Sequence, residues 1–129
     1  FKRTAPHPNL ITFDCPDSNV TCIKRTRSNT PLAALITLNN DTFTEAARAL
    51  AKRVAKDEQP LESAFRHCLS RSPLKEEVQQ LEELLETSTD YYRKHPKDAE
   101  KLSPKASERA PLTATVRILL NLDEFLTRN

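Results

Sequence analysis

The residues best equipped for chemistry crowd the first thirty positions. His7 stands between Pro6 and Pro8, which fix its backbone and suit it to a ligand's or a base's role. Asp14, Cys15 and Cys22 follow, then the basic run Lys24-Arg25-Thr26-Arg27. A thiol, imidazole and carboxylate set of this kind is chemically able to hold a metal ion. The spacing matches no motif of known geometry, however, and neither C-x-x-C nor C-x-x-C-H occurs. Asp14 can accept hydrogen bonds from Arg25 or Arg27, and such a clasp would pin this segment to the rest of the chain. No nucleophile, base and orienter can be assembled into a set, so no catalytic, cofactor-binding or metal-ligating residue is assigned. His7, Asp14, Cys22, Arg25, Arg27 and Asn39 stand together as a candidate cluster, functional or structural.

Cysteine adds little. Three thiols, Cys15, Cys22 and Cys68, cannot all pair within one chain. Cys15 and Cys22 could close a small loop in an oxidising compartment, whereas Cys68 falls at an apolar helical position and reads as a small hydrophobe.

Composition excludes more than it assigns. The 129 residues include no Gly, so a Walker-A loop, a G-x-G-x-x-G turn and a G-x-S-x-G elbow are all absent. Tight turns must be built from Pro, Asn, Asp or Ser, which favours helices over hairpins. A formal charge of +2, with five Phe, two Tyr and no Trp, gives no reason to expect a nucleic-acid partner. No stretch approaches the length of an apolar membrane span. The chain opens on Phe1 and contains no Met, which reads as a piece of a longer polypeptide.

The elements that must position these residues are helical. Residues 1–30 carry Pro6, Pro8 and Pro16 without helical periodicity, and read as an extended arm with a short strand around Leu10–Phe13. Thr30 and Pro31 suit the cap and first turn of a helix continuing through Leu32, Leu35, Ile36 and Leu38. Asn39-Asn40-Asp41 breaks it, Asn39 being placed to cap the next turn, and Thr42 with Glu45 forms a capping box. Phe43, Ala46, Ala47, Leu50, Ala51 and Val54 then recur at helical spacing. A short helix follows on Leu61, Ala64, Phe65, Cys68 and Leu69. Ser72-Pro73 opens a long helix whose Glu76, Glu77, Glu82 and Glu83 read as a solvated face and which His95-Pro96 ends. Residues 97–110 read as a connection, part of it helical, and a last helix runs from Pro111 to Phe125. Asp123 and Glu124, side by side, point about 100° apart and suit surface ion pairs better than paired acid–base work. The expectation is one all-α domain, a bundle of four to six helices over 31–129 with the arm of 1–30 packed across it.

Several stretches together resemble a C-terminal domain of unknown function found in planctomycete multidomain proteins that carry planctomycete-type cytochrome c domains. They are Lys2-Arg3-Thr4-Ala5-Pro6-His7-Pro8, Phe13-Asp14, Thr30-Pro31-Leu32, Phe43-Thr44-Glu45-Ala46-Ala47-Arg48, Leu69-Ser70-Arg71-Ser72-Pro73 and the closing Leu119–Asn129. Ala33 departs from the family's usual Gln, and Asn39-Asn40-Asp41 from its usual Asn-Asp-Pro. The resemblance implies an exported or periplasmic protein with haem in upstream domains and none in this chain. Its expected partners are those upstream domains and other exported proteins. It implies no reaction. Two function classes follow: a non-catalytic structural or interaction domain, or a share in an active site completed upstream, in redox or polysaccharide-degrading chemistry.

Overall fold

The computed structural model describes residues 11–16, 21–24 and 30–127. The first helix, α1 (Pro31–Asn39), starts as the sequence predicts. Thr30 is extended, its hydroxyl accepts the Ala33 N–H at 3.1 Å, and Pro31 fills the first turn. One residue, Asn40, then serves two helices. Its N–H donates to Ile36 O at 2.8 Å, closing α1, and its side-chain oxygen accepts the Thr42 N–H at 2.8 Å, opening α2 (Asp41–Val54). This replaces the expected box at Thr42 and Glu45, because α2 begins two residues earlier and leaves Thr42 inside its first turn. Asn39 does not cap either. Its amide donates back to Leu35 O at 2.9 Å.

After α2 come α3 (Pro60–Leu69), α4 (Lys75–Lys94), α5 (Pro96–Leu102), a 3₁₀ turn (Ser107–Arg109), α6 (Ala110–Leu119) and α7 (Asp123–Leu126). The all-α expectation holds, with seven helices bounded among the described residues. α5 forms within the expected connection, and the single last helix expected from Pro111 to Phe125 is interrupted after Leu119, its end becoming the separate short α7. α6 lies centrally, against α2, α3, α4 and α5. Its Val116 and Leu119 meet Ala47, Ala51 and Val54 of α2, Ala64, Phe65 and Cys68 of α3, and Leu81 of α4. The alanines at i and i+4 on α2 let α6 approach closely, and Phe65, only 2 % exposed, fills the space beside them. Burying that one ring contributes about 2–3 kcal/mol. A second, smaller cluster joins Ala99 and Leu102 of α5 to Ala110.

Buried hydroxyls in α6 are satisfied locally. Thr113 donates to Arg109 O at 2.9 Å and Thr115 to Pro111 O at 3.1 Å. With its proton so engaged, Thr113 accepts from Ser103 at 3.0 Å, which ties the end of α5 to α6. Thr37 of α1 donates to Ala34 O at 2.8 Å and also touches the side-chain oxygen of Asn121.

Turns without Gly leave a trace. Asp14, Ser70 and Lys105 sit at φ 52°, 60° and 64°, the left-handed region that glycine usually fills. Ser70 does so while its N–H, donating to Arg66 O at 2.9 Å, closes α3. The expected strand around Leu10–Phe13 is not formed over its described residues. Ile11 and Thr12 are helical, and the Asp14 N–H donates to Ile11 O at 3.1 Å, so a local turn takes the backbone bonds a strand would have had to find elsewhere. The arm does reach the body, since Phe13 packs on Phe43 of α2 with ring centroids 5.8 Å apart.

Candidate functional site

The cluster singled out from the sequence is placed only in part. His7, Arg25 and Arg27 lie outside the described residues, and with them any clasp between Asp14 and an arginine. Asp14 occupies the turn after Thr12, while Cys15 and Cys22 are exposed free thiols. Asn39 is exposed at the end of α1. Among the described residues, no three His, Cys, Asp or Glu side chains converge on a point where a metal ion would fit. Cys68 behaves as its position predicts. It is buried, and burial pushes its thiol up to about 11 from an ordinary 9.0.

The densest polar constellation is one the sequence did not single out. Arg71, in the turn between α3 and α4, donates from Nη1 and Nη2 to the Glu77 carboxylate at 2.8 and 2.7 Å. From Nε and Nη2 it donates to Glu124 of α7, at 2.8 Å each. Its other Nη1 hydrogen reaches Ser72 O at 3.3 Å. All five guanidinium N–H groups are thereby used, and the guanidinium carbon stands 4.7 Å from the centre of the Phe65 ring. Glu77 also accepts the Leu74 N–H at 2.7 Å, so it caps its own helix. This corrects the reading of Ser72-Pro73 as the start of α4 and of Glu77 as part of a solvated face. Leu74 precedes the first helical residue, and Glu77 turns inward because Arg71 and an open N–H both await it. Glu76, Glu82 and Glu83 remain exposed, and Glu124 makes the surface ion pair foreseen for it.

The electrostatics follow from these contacts. The Arg71 guanidinium, helped by the Leu74 N–H, holds the Glu77 carboxyl at about 2, and Arg71 likewise lowers that of Glu124. Both carboxylates are therefore charged near neutrality and neither is a proton donor there. Arg71 has no N–H left with which to bind a substrate. The constellation joins α3, α4 and α7 and does no chemistry of its own. The one signal for it in the sequence is an arginine between two helices, followed six residues later by a glutamate one turn into the second helix.

A different surface surrounds Asn39. Together with Leu38, Leu84, Ser88, Arg117 and Ile118 it lines an open groove of about 350 Å³ between α1, α4 and α6. Arg117 Nη2 reaches the Leu38 carbonyl, while its Nε is buried without a partner among the described residues. Beyond the groove, Leu32 and Leu35 of α1 are each 56 % exposed, and Ile118 is 41 % exposed.

Comparison with known proteins gives a family and no more. The family model described as PSD1, Protein of unknown function (DUF1553), matches residues 1–85, from the arm into the middle of α4. No curated protein and no solved structure matches.

Proposed function

The chain belongs to the PSD1 family of proteins of unknown function (DUF1553), and we propose that it serves there as a non-catalytic packing and docking domain of an exported, cytochrome c-type multidomain protein. Its partners in this reading are upstream domains of the same polypeptide, and haem belongs to those domains. The observation that carries the reading is α1. Leu32, Ala33, Ala34, Leu35, Ile36 and Leu38 make this helix apolar on every side, the pattern of a helix enclosed by protein. Here only Ala33 and Thr37 are buried, and two leucines lie more than half exposed. Such a face suits a neighbouring domain better than water.

Support also comes from Arg71, whose constellation is consumed by contacts within the domain and offers nothing to a reacting group. The test is the double variant Leu32→Glu and Leu35→Glu in the full-length protein. Small-angle scattering should show the domains separating, limited proteolysis should cut between them, and the thermal midpoint of the isolated chain should stay unchanged. A full-length protein as compact and as protease-resistant as the parent would refute the docking role.

A further inference from the structure

A second groove, of about 300 Å³, lies where α2 passes the corner between α5 and α6. We propose that it binds a small phosphate dianion, either orthophosphate or a phosphomonoester. Its charged lining is Arg48 and Lys52 of α2 and Arg109 of the 3₁₀ turn, against the single acid Glu45, a local charge of +2. With Glu108 paired to Arg109 at the edge the excess is +1, a net positive charge that attracts an anion.

The contrast with Arg71 makes the argument. Arg48 meets no carboxylate among the described residues. Nε reaches Leu102 O at 2.5 Å and Nη2 reaches Lys101 O at 3.0 Å, both carbonyls in the last turn of α5. These two bonds fix the guanidinium plane and leave three of its five N–H groups for a ligand. Lys52, one turn further along α2, makes no ion pair among the described residues, and Arg109 has only its neighbour Glu108, at 3.8 Å. A guanidinium held in place before the ligand arrives loses little freedom on binding. The volume is at the small end for ligand sites, which favours a compact anion over a long chain. Ser103 and Thr113, also in the lining, spend their hydroxyl protons within the fold, so the positive side chains must supply the donors.

The test is a titration of the whole chain with inorganic phosphate at constant ionic strength, followed by ¹H–¹⁵N NMR. Saturable shifts are expected at Arg48 Nε and at the backbone amides of 45–52 and 103–109. Affinity should rise as phosphate passes its second pKa of about 6–7. Lys52→Ala, an exposed change that leaves the fold intact, should weaken binding roughly tenfold, as loss of one charged contact does. Arg48→Gln should weaken it at least as much, and its amide spectrum reports whether the α5 end stays folded. Glycerol phosphate binding more tightly than orthophosphate identifies an ester as the ligand, and the reverse identifies the free ion. Shifts that do not saturate, equal affinity in Lys52→Ala, or equal binding of acetate overturn the proposal.

Discussion

Replacing Ser70 by glycine should make this protein more stable, which is the reverse of the usual effect of adding glycine. Ser70 follows α3 at φ 60° and ψ 20°, is exposed, and makes no side-chain hydrogen bond among the described residues. An L-residue other than glycine pays about 1–2 kcal/mol for that conformation. Glycine removes the cost but has more freedom in the unfolded chain, which takes back about 0.4–1 kcal/mol. Mid-range values of about 1.5 and about 0.7 kcal/mol leave a net gain of about 0.8 kcal/mol. For 129 residues, unfolding entropy is about 0.27 kcal/mol per kelvin, so the midpoint should rise by about 2–4 °C. Differential scanning calorimetry on parent and variant reads this directly. Ala46→Gly, on the exposed side of α2, is the control and should lose about 1 kcal/mol. If Ser70→Gly left the midpoint unchanged or lowered it, the left-handed serine would carry no strain and the reasoning would fail.

Three further outcomes are expected. Glu77 contributes stability through a carboxyl held at about 2 against an ordinary 4.5, so that contribution is whole above about 4.5 and is lost as pH falls toward 2; urea titrations across that interval should show a shallower decline in Glu77→Gln than in the parent. Native protein at pH 8 should react with a thiol reagent at Cys15 and Cys22 and spare Cys68, which labels only after denaturation; rapid native labelling of Cys68 would contradict its burial. Phe65→Ala should cost about 3–5 kcal/mol, measured by denaturant unfolding, since the ring is enclosed by α2, α4 and α6 and also underlies Arg71; a loss below about 1 kcal/mol would mean the core closes around the gap.

What the sequence disclosed and what it withheld divide by range. Thr30-Pro31, the Ala47/Ala51/Val54 stripe and the stop at His95-Pro96 are local signals, read within one or two turns, and each sits where its spacing places it. The errors are also local but rest on competition. Asn40 wins the cap from Thr42 because it can close α1 with its N–H and open α2 with its side chain at once. Glu77 leaves the solvated face for a partner six residues back and for the N–H of Leu74. Glu124 lies 53 residues from Arg71 in sequence, and no periodicity links the two. The cluster of His7, Asp14, Cys22, Arg25, Arg27 and Asn39 rests on residue type alone. The structure gives Asn39 a bond to its own helix, and leaves His7, Arg25 and Arg27 outside the described residues.

The two arginines show how far saturation can stand in for a motif. Arg71 and Arg48 are both half-buried and both reach backbone carbonyls, so composition and exposure do not separate them. Their partners do. Arg71 spends every N–H inside the domain, on two carboxylates that it keeps ionised, and a charge so enclosed has no free valence for a ligand. Arg48 is fixed by neutral carbonyls alone, so its charge is oriented without being neutralised, and Lys52 and Arg109 add to it. An oriented, unneutralised charge is costly to keep unless solvent or an anion completes it. The same reasoning applies to apolar surface. Phe65 is completed by its own core, whereas Leu32 and Leu35 are not, and a helix that is apolar all round is stable in water only when something lies against it. Function in this domain is therefore to be sought where the fold leaves a group oriented and incomplete, at α1 and at Arg48, and not where its charges are densest.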